Sequence, residues 1–461
     1  MAFPRVLAAI FVFSAMLLAL PETSRAQTFT DILDFTGSSF ADPGIVTLAQ
    51  ARNGNLYGTT AAQPLTGLGT IFGITPTGTI VLEFGGFDYT NGASPAGGVT
   101  LATDGTIYGT TEFSSYNADS SGVIYTITTG GNNYTALHQF EGGDGSFPIA
   151  PPIEGADGNF YGTTNGLLHG LPSTIYQYVP QTQTLTSLRL FGKEVGLYYA
   201  LTQGVDGDLY GVANAGGPNK FGSIFRLSTS GVLRYSYNSP GGAGGTYPIG
   251  PLVQLTDGNF YGTAADGGAG AGGFVFKMTP GGVVSIVYNF TENDGQTFLP
   301  STGLTLGSDG QLYGASALGG ANDAGTLHRV TTGGQYTLLY SFPSFAGTAA
   351  SLVQHTNGKF YGVTATGGAD NYGMVYSLDV GSPPFIALVQ SQGRPGQNEQ
   401  ILGQGLNGTT NVTFNGVAAA FDIHSDTYVT ALIPNGASSG PVVVTTRTGT
   451  LTSVKNFRVS R

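Results

Sequence analysis

The 461-residue sequence contains no cysteine and no tryptophan, and only 9% of its residues are charged. Without cysteine the chain can form no disulfide bond and no thiolate metal site. It carries 16 basic and 27 acidic residues, which give a formal net charge of −11. An acidic chain without a basic run is poorly suited to bind nucleic acid or an anionic membrane surface. The composition therefore argues against both kinds of partner.

Long hydrophobic runs are also missing, except near the N-terminus. Residues 1–26 combine Arg5, an apolar stretch over residues 6–20 and a small-residue site at 24–26. This pattern is typical of a secretory signal peptide, and the apolar stretch is short for a membrane span. An N-terminal anchor that is never cleaved is the alternative. We therefore expect a secreted, extracellular or cell-surface protein with no membrane span after cleavage.

Glycine is abundant, with 75 copies, and many of them belong to a phrase that recurs seven times. The phrase is an Asn-Gly or Asp-Gly pair, a short gap, and an aromatic-Gly-Thr segment or a close variant, as in residues 53–59. Intervals of 48 to 53 residues separate the tyrosines that mark the copies, which are Tyr57, Tyr108, Tyr161, Tyr210, Tyr261, Tyr313 and Tyr361. A period of this size is typical of a propeller or a solenoid.

Each repeat contains four segments with strand character. In one repeat they are residues 252–255, 260–264, 274–278 and 284–290, and Asp257-Gly258 separates the first two. Aromatic and β-branched residues fill the strands, while the Asp-Gly pairs predict type I′ hairpin turns. Four strands in each of seven repeats predict an all-β fold, a seven-bladed β-propeller over residues 27–381. An open β-solenoid is the alternative.

The two ends of the repeat region complement each other. The last repeat has strand candidates at Leu352, Phe360 and Met374, but no fourth strand before Gly381. Residues 29–35 form an additional strand candidate with the pattern of a fourth strand. Closing the ring would remove the exposed edges of an open array. We predict that this N-terminal strand completes the last blade.

Several repeat segments resemble a known family. Residues 56–60, 69–72 and 339–342 are similar to the GloVer tandem repeat, and the resemblance covers about residues 28–380. That repeat occurs in secreted bacterial proteins with varied surface anchors. The resemblance therefore implies a secreted bacterial protein, but it implies no particular activity.

The pattern changes after residues 381–384, whose two prolines predict a linker. The remaining residues, 385–461, have the length of one Ig-like domain. Six segments resemble the IPT/TIG family of Ig-like β-sandwiches, at residues 396–398, 401–406, 412–416, 431–434, 440–442 and 457–459. The resemblance implies a second domain that serves as a spacer or an adhesion module.

Candidate ligand-binding residues lie on the long loops. In a four-stranded blade the tight turns share one face, and the variable loops share the other. Aromatic rings beside carboxylates suit sugar recognition, although the rings could instead pack between blades. The predicted ligand-binding residues are Phe113, Tyr116, Phe147, Tyr247, Phe298, Tyr372, Asp119, Asp144, Asp266 and Asp294.

No motif identifies a catalytic, metal or cofactor site. The five histidines lack metal-binding spacing, and the seven repeat tyrosines are predicted to be structural because they recur in every repeat. Two carboxylates that cleave a sugar would be paired in space and not in sequence. We expect a non-catalytic monomer that binds an extracellular glycan or surface protein. A carbohydrate-active enzyme, a glycoside hydrolase or lyase, is the alternative.

Overall fold

A computed structural model of the chain describes residues 27–36, 47–61, 67–114, 121–291, 302–343 and 352–460. These residues form strands, turns and a few short 3-10 turns, so the predicted all-β class is confirmed. The described ranges contain no helix that is both long enough and apolar enough to cross a membrane. The predicted signal peptide, residues 1–26, lies outside the described residues.

Seven four-stranded antiparallel sheets follow one another along the described part of residues 28–379. The first strand along the chain is β1 (Thr28–Asp34). Sheet 1 contains β2 (Ala49–Gln50), β3 (Leu56–Thr60), β4 (Thr70–Ile74) and β5 (Ile80–Phe84). Sheet 2 contains β6 (Val99–Leu101), β7 (Ile107–Thr111), β8 (Val123–Ile127) and β9 (Thr135–Gln139). Sheet 3 contains β10 (Ile153–Glu154), β11 (Phe160–Thr164), β12 (Thr174–Val179) and β13 (Thr184–Leu190).

The remaining sheets of this region repeat the arrangement. Sheet 4 contains β14 (Thr202–Gln203), β15 (Leu209–Ala213), β16 (Ser223–Leu227) and β17 (Leu233–Asn238). Sheet 5 contains β18 (Thr246–Gln254), β19 (Phe260–Asp266), β20 (Phe274–Met278) and β21 (Val284–Asn289). Sheet 6 contains β22 (Thr305–Leu306), β23 (Leu312–Ser316), β24 (Thr326–Val330) and β25 (Tyr336–Ser341). Sheet 7 contains β26 (Val353–Gln354), β27 (Phe360–Thr364), β28 (Met374–Asp379) and β1.

Sheet 7 draws its strands from both ends of the repeat region. Strand β1 pairs antiparallel with β28, so that Thr28 lies opposite Asp379. Sheet 7 also packs against sheet 1, because Phe72 of sheet 1 and Tyr361 of sheet 7 share one buried cluster. The backbone N–H of Thr356 donates to Oε1 of Gln50 at 3.0 Å, which links the two sheets at their first strands.

The repeat tyrosines are buried, and none is more than 6% exposed. Four hydroxyls donate to the aspartate four residues earlier at 2.6–3.0 Å, those of Tyr161, Tyr210, Tyr261 and Tyr313. The rings also stack across sheets, and the Tyr108 and Phe160 centroids lie 3.9 Å apart. These four tyrosines therefore tie their own turns to their sheets, and ring stacking such as that of Tyr108 on Phe160 ties one sheet to the next.

The Asp-Gly turns are not of the predicted type I′. Gly258 has a φ of 81°, but Asp257 is not among the residues with positive φ, and type I′ needs both. The N–H of Gly258 donates to Leu255 O at 3.0 Å, as in a type I turn followed by a glycine bulge. This geometry lets Asp257 Oδ1 accept the N–H of Asn259 at 2.9 Å. The side-chain hydrogen bond is compatible with this turn and adds to its stability.

The described residues from 385 to 460, here called the C-terminal module, form two four-stranded sheets and one two-stranded sheet. Its strands are β29 (Ala387–Leu388), β30 (Gln392–Gly393), β31 (Asn398–Leu402), β32 (Thr409–Phe414), β33 (Val417–Ala419), β34 (Phe421–Ser425), β35 (Tyr428–Leu432), β36 (Val442–Thr446), β37 (Gly449–Thr452) and β38 (Arg458–Val459). The sheets β29-β31-β35-β34 and β33-β32-β36-β37 bury a common apolar cluster that includes Ile401, Val429, Phe414 and Val444.

The C-terminal module contacts turns of the repeat region, including those at Asn53-Gly54 and Asn357-Gly358. Arg52 Nε donates to Gln400 Oε1 at 2.9 Å, and the Arg52 guanidinium lies 5.2 Å from the centroid of the Tyr428 ring. Thr427 Oγ1 donates to the carbonyl oxygen of Arg52 at 2.6 Å. A further hydrogen bond joins Gln404 Nε2 to Thr356 Oγ1 at 3.0 Å. The module is therefore docked on the turns and is not held by its linker alone.

Candidate functional site

Two cavities are lined by the first strands of successive sheets and the loops beside them. The loop-face cavity has a volume of about 470 Å³, and segments next to sheets 1 to 6 line it. The turn-face cavity, about 700 Å³, lies between the first strands and the C-terminal module. The lining residues of the loop-face cavity are Thr47, Ala96, Gly97, Val99, Thr100, Glu112, Phe147, Ile149, Ala150, Pro151, Ile153, Asn165, His169, Tyr198, Tyr199, Ala200, Leu201, Gly250, Pro251, Thr302 and Gly303.

Threonines of the repeat phrase form hydrogen bonds to the backbone that lines the loop-face cavity. Three of these hydroxyls donate to a backbone carbonyl beside the next sheet, and all three acceptors line the cavity. The pairs are Thr110 to Ala150 at 3.1 Å, Thr163 to Tyr199 at 3.2 Å and Thr263 to Thr302 at 2.9 Å. The same phrase that builds the sheets therefore also positions the backbone of the cavity.

An aromatic cluster forms one side of this cavity. The Phe147 ring stacks on the His169 ring at a centroid distance of 3.6 Å, and Phe113 meets Phe147 edge-on at 5.9 Å. Phe147 has a φ of 59° and is 2% exposed, so its backbone and ring are both fixed by packing. Its carbonyl accepts the N–H of Asn165 at 3.0 Å, which brings that amide side chain to the cavity.

Glu112 is the one carboxylate among the described residues that line the loop-face cavity. Burial raises the pKa of Glu112, and a hydrogen bond from Ser94 and attraction to His169 oppose the rise in part. Ser94 Oγ donates to Glu112 Oε2 at 3.3 Å, which is long for a hydrogen bond. The carboxylate is therefore half-buried and only weakly compensated within the chain.

Tyr198 and Tyr199 supply the remaining large aromatic surface. Both are partly exposed and immediately precede the first strand of sheet 4. Burial raises the pKa of Tyr199 to about 12, so its hydroxyl is neutral near pH 7 and can donate a hydrogen bond. Together with Asn165 these residues give the cavity apolar rings and a few polar groups, the combination found in small-molecule sites.

The predicted ligand-binding residues lie in several places. Phe147 lines the loop-face cavity, and Phe113 packs edge-on against Phe147 but does not itself line the cavity. Tyr247 and Tyr372 are 36% and 43% exposed and do not line it either. Asp144 accepts from His138 Nε2 at 2.7 Å. The other carboxylates and rings of that set are engaged locally or fall outside the described residues. Asp266 accepts its neighbour's N–H, while Tyr116, Asp119, Asp294 and Phe298 are outside those residues.

Sequence reasoning did not select Glu112, Asn165, His169 and Tyr198 as site residues. Their positions in the repeat carry a signal, because Glu112 and Asn165 follow the second strand of a sheet by one residue. Tyr198 lies just before a first strand. Residues at both positions line the loop-face cavity. No group of three residues that could hold a metal ion occurs in the described part of the chain.

The seven four-stranded sheets and the cavities at their first strands define an all-β repeat protein with a propeller-like arrangement. Two segments, residues 20–166 and 101–306, match the model of the Gloeobacter/Verrucomicrobia repeat. Together the segments span more than half of the chain, so the protein belongs to this repeat family. The predicted membership of a tandem-repeat family is confirmed. No curated protein sequence matches the chain.

Several solved structures are similar to the chain. One is a fungal alcohol oxidase of the AA5 family in complex with copper, with a TM-score of 0.51 and 14% identity over 94% of this chain and 99% of that chain. Another is oligogalacturonate lyase from Vibrio parahaemolyticus, with a TM-score of 0.47 and 10% identity over 77% and 97%. TolB from Acinetobacter baumannii has a TM-score of 0.40 and 16% identity, and the match covers 63% of this chain and 64% of TolB. Identities this low concern the fold alone.

Proposed function

We propose that the protein is a secreted, non-catalytic glycan-binding protein whose binding site is the loop-face cavity. The observation that carries the proposal is the lining of this cavity. Tyr198 and Tyr199 provide partly exposed aromatic rings, and Asn165 and Glu112 provide hydrogen-bonding groups beside them. Rings stack on the C–H faces of sugars while amides and carboxylates bind hydroxyls. A volume of about 470 Å³ lies within the range of small-ligand pockets.

We further propose that the seven sheets are blades of a closed seven-bladed β-propeller. The support is a series of hydrogen bonds in which the last residue of a first strand accepts the N–H of the preceding sheet's turn. The pairs are Thr103 to Glu154, Ala156 to Gln203, Val205 to Gln254, Ser308 to Gln354 and Thr356 to Gln50. The last pair joins sheet 7 to sheet 1, as a closed ring requires.

The C-terminal module is proposed to be an IPT/TIG-type Ig-like domain, on the strength of its two packed sheets and its motif segments. Its docking on the turns at Asn53-Gly54 and Asn357-Gly358 leaves the loop face free for a ligand. Secretion rests on the pattern of residues 1–26. Expression of the full chain in a bacterial host tests it. Mass spectrometry of the exported protein should find an N-terminus close to residue 27, and retention of Met1 in the membrane fraction would contradict secretion.

An extracellular carbohydrate-active enzyme remains the second candidate. Sugar cleavage by the common acid–base mechanisms needs two carboxylates about 5 to 10 Å apart. Within the described lining of the loop-face cavity Glu112 has no such partner, which favours binding over hydrolysis. A reducing-sugar assay on each glycan that binds separates the two functions. Release with turnover would support the enzyme.

A glycan array followed by titration calorimetry tests the site. Tyr198→Ala should weaken binding of any glycan hit by about tenfold or more, because a stacking ring contributes on the order of 1–3 kcal/mol to affinity. Tyr372→Ala is the matched control, since Tyr372 is also exposed but does not line the cavity. Loss of binding in Tyr372→Ala alone would indicate that the ligand binds at the outer loops and not in the cavity. The absence of any glycan hit would contradict the function.

A further inference from the structure

The loop-face cavity has an uneven distribution of charge. Its described lining contains the Glu112 carboxylate and no lysine or arginine. The whole chain is acidic as well, with a formal net charge of −11. An anionic ligand would therefore be repelled both by the cavity and by the long-range field of the protein.

Glu112 has little compensation inside the protein. The hydrogen bond from Ser94 is 3.3 Å long, and Ser94 is the one side chain in the described residues that donates to the carboxylate. Burying an ionised carboxylate without a close partner is costly, and a cationic group brought by a ligand would recover part of that cost. The partly exposed ring of Tyr198 can also attract a cation through its face.

We propose that the loop-face cavity selects a saccharide that carries a protonated amine, with Glu112 as the counter-ion of that amine. This inference rests on the proposed glycan-binding function and narrows its ligand class. The sugar ring stacks on the cavity tyrosines, and the ammonium group donates a charge-assisted hydrogen bond to the carboxylate. An N-acetylated sugar would offer only a neutral amide at the same place and would bind more weakly.

Ligand affinity should depend on pH, because the Glu112 carboxylate in the cavity can take up a proton. The titratable groups beside Glu112 in the described lining are His169, Tyr198 and Tyr199. Burial raises the pKa of Tyr199, so its hydroxyl stays neutral as the pH falls from 7. As the pH falls, Glu112 takes up its proton and loses the charge that attracts an ammonium group. Affinity for a saccharide whose amine stays protonated should therefore fall as the pH is lowered through the raised pKa of Glu112.

The test is calorimetry at pH 7 with glucosamine oligomers, their N-acetylated counterparts and glucose oligomers of equal length. We expect the wild-type protein to bind the amine form at least about tenfold more tightly, the effect of one charge-assisted hydrogen bond. Glu112→Gln should abolish this preference, because the amide keeps the shape but not the charge. Glu141→Gln removes the same charge from an exposed loop residue outside the cavity and should keep the preference.

The outcomes separate the two proposals. Equal binding of amine and N-acetylated oligomers by the wild-type protein would overturn the amine inference and leave glycan binding standing. Binding of no saccharide would overturn the proposed function itself. A preference that survives in Glu112→Gln, or that is lost equally in Glu141→Gln, would also overturn the inference. Thermal unfolding of both variants verifies that each is folded before the affinities are compared.

Discussion

Two buried tyrosines of sheet 3 have hydroxyls in opposite situations. The Tyr161 hydroxyl donates to Asp157 Oδ2 at 2.6 Å, whereas the Tyr176 hydroxyl is buried with no hydrogen-bond partner in the described residues. Tyr161→Phe should lower the free energy of unfolding by about 1–2 kcal/mol, because a charge-assisted hydrogen bond is lost. Tyr176→Phe should leave it unchanged or raise it. Urea denaturation measures both, and equal losses would indicate that a buried water satisfies Tyr176.

Glu112 gives a second prediction for a single residue. Burial raises the pKa of Glu112, so the folded state holds this proton more tightly than the unfolded state. Stability is unaffected below the ordinary glutamate pKa and falls as the pH rises through the raised folded-state pKa. Glu112→Gln should therefore gain stability over wild type between pH 4 and pH 7. Urea denaturation across that range measures the difference, and a constant difference would contradict the prediction.

Within the strands, the glycine of the repeat phrase makes room for an aromatic ring. A Cβ added to Gly162 would lie 2.2 Å from the Tyr176 hydroxyl oxygen on the paired strand β12. Gly162→Ala should lower the free energy of unfolding by about 1–3 kcal/mol, the usual cost of overpacking. Gly143→Ala is the control, since a Cβ there meets nothing within 4 Å. Similar melting temperatures for both variants would contradict the packing explanation.

The strands and their repeat could be predicted from sequence because each depends on local pattern and on a fixed period. The turn type could not, because it depends on which backbone groups pair across the turn, and the N–H of Gly258 bonds Leu255 O three residues earlier. Part of the candidate site could not be predicted from the sequence either. Glu112 and Tyr198 are far apart in the chain and meet at one cavity only because the sheets are arranged around it.

On the scale of the whole molecule, β1 is a strand of sheet 7 and also packs against sheet 6. It pairs with β28 of sheet 7, and the Phe29 ring stacks on Tyr340 of sheet 6 at a centroid distance of 3.9 Å. Deletion of residues 27–36 should lower the free energy of unfolding by several kcal/mol, because loss of one buried aromatic ring alone costs about 3–5 kcal/mol. Differential scanning calorimetry measures the loss. An unchanged melting temperature would show that β1 is dispensable.

The contact between the repeat region and the C-terminal module depends strongly on Arg52. Its side chain bonds Gln400 and lies over the Tyr428 ring, so Arg52→Ala removes two contacts across the boundary. We expect the linker at residues 381–384 to become more sensitive to limited proteolysis. Arg447→Ala, a change on the module away from these contacts, should leave cleavage at the wild-type rate. Equal cleavage of all three proteins would show that Arg52 does not secure the module.

The pairing of β1 with β28 has a consequence for the order of events during biosynthesis. Strand β1 leaves the ribosome long before β28, yet its hydrogen-bonding partner is β28. Until residues 374–379 emerge, β1 has no partner, and its apolar side chains need protection from non-native association. Contacts so distant in sequence slow folding, because the entropy of closing a long loop is lost before the contacts form. Sheet 7 is therefore expected to be the last of the seven to assemble.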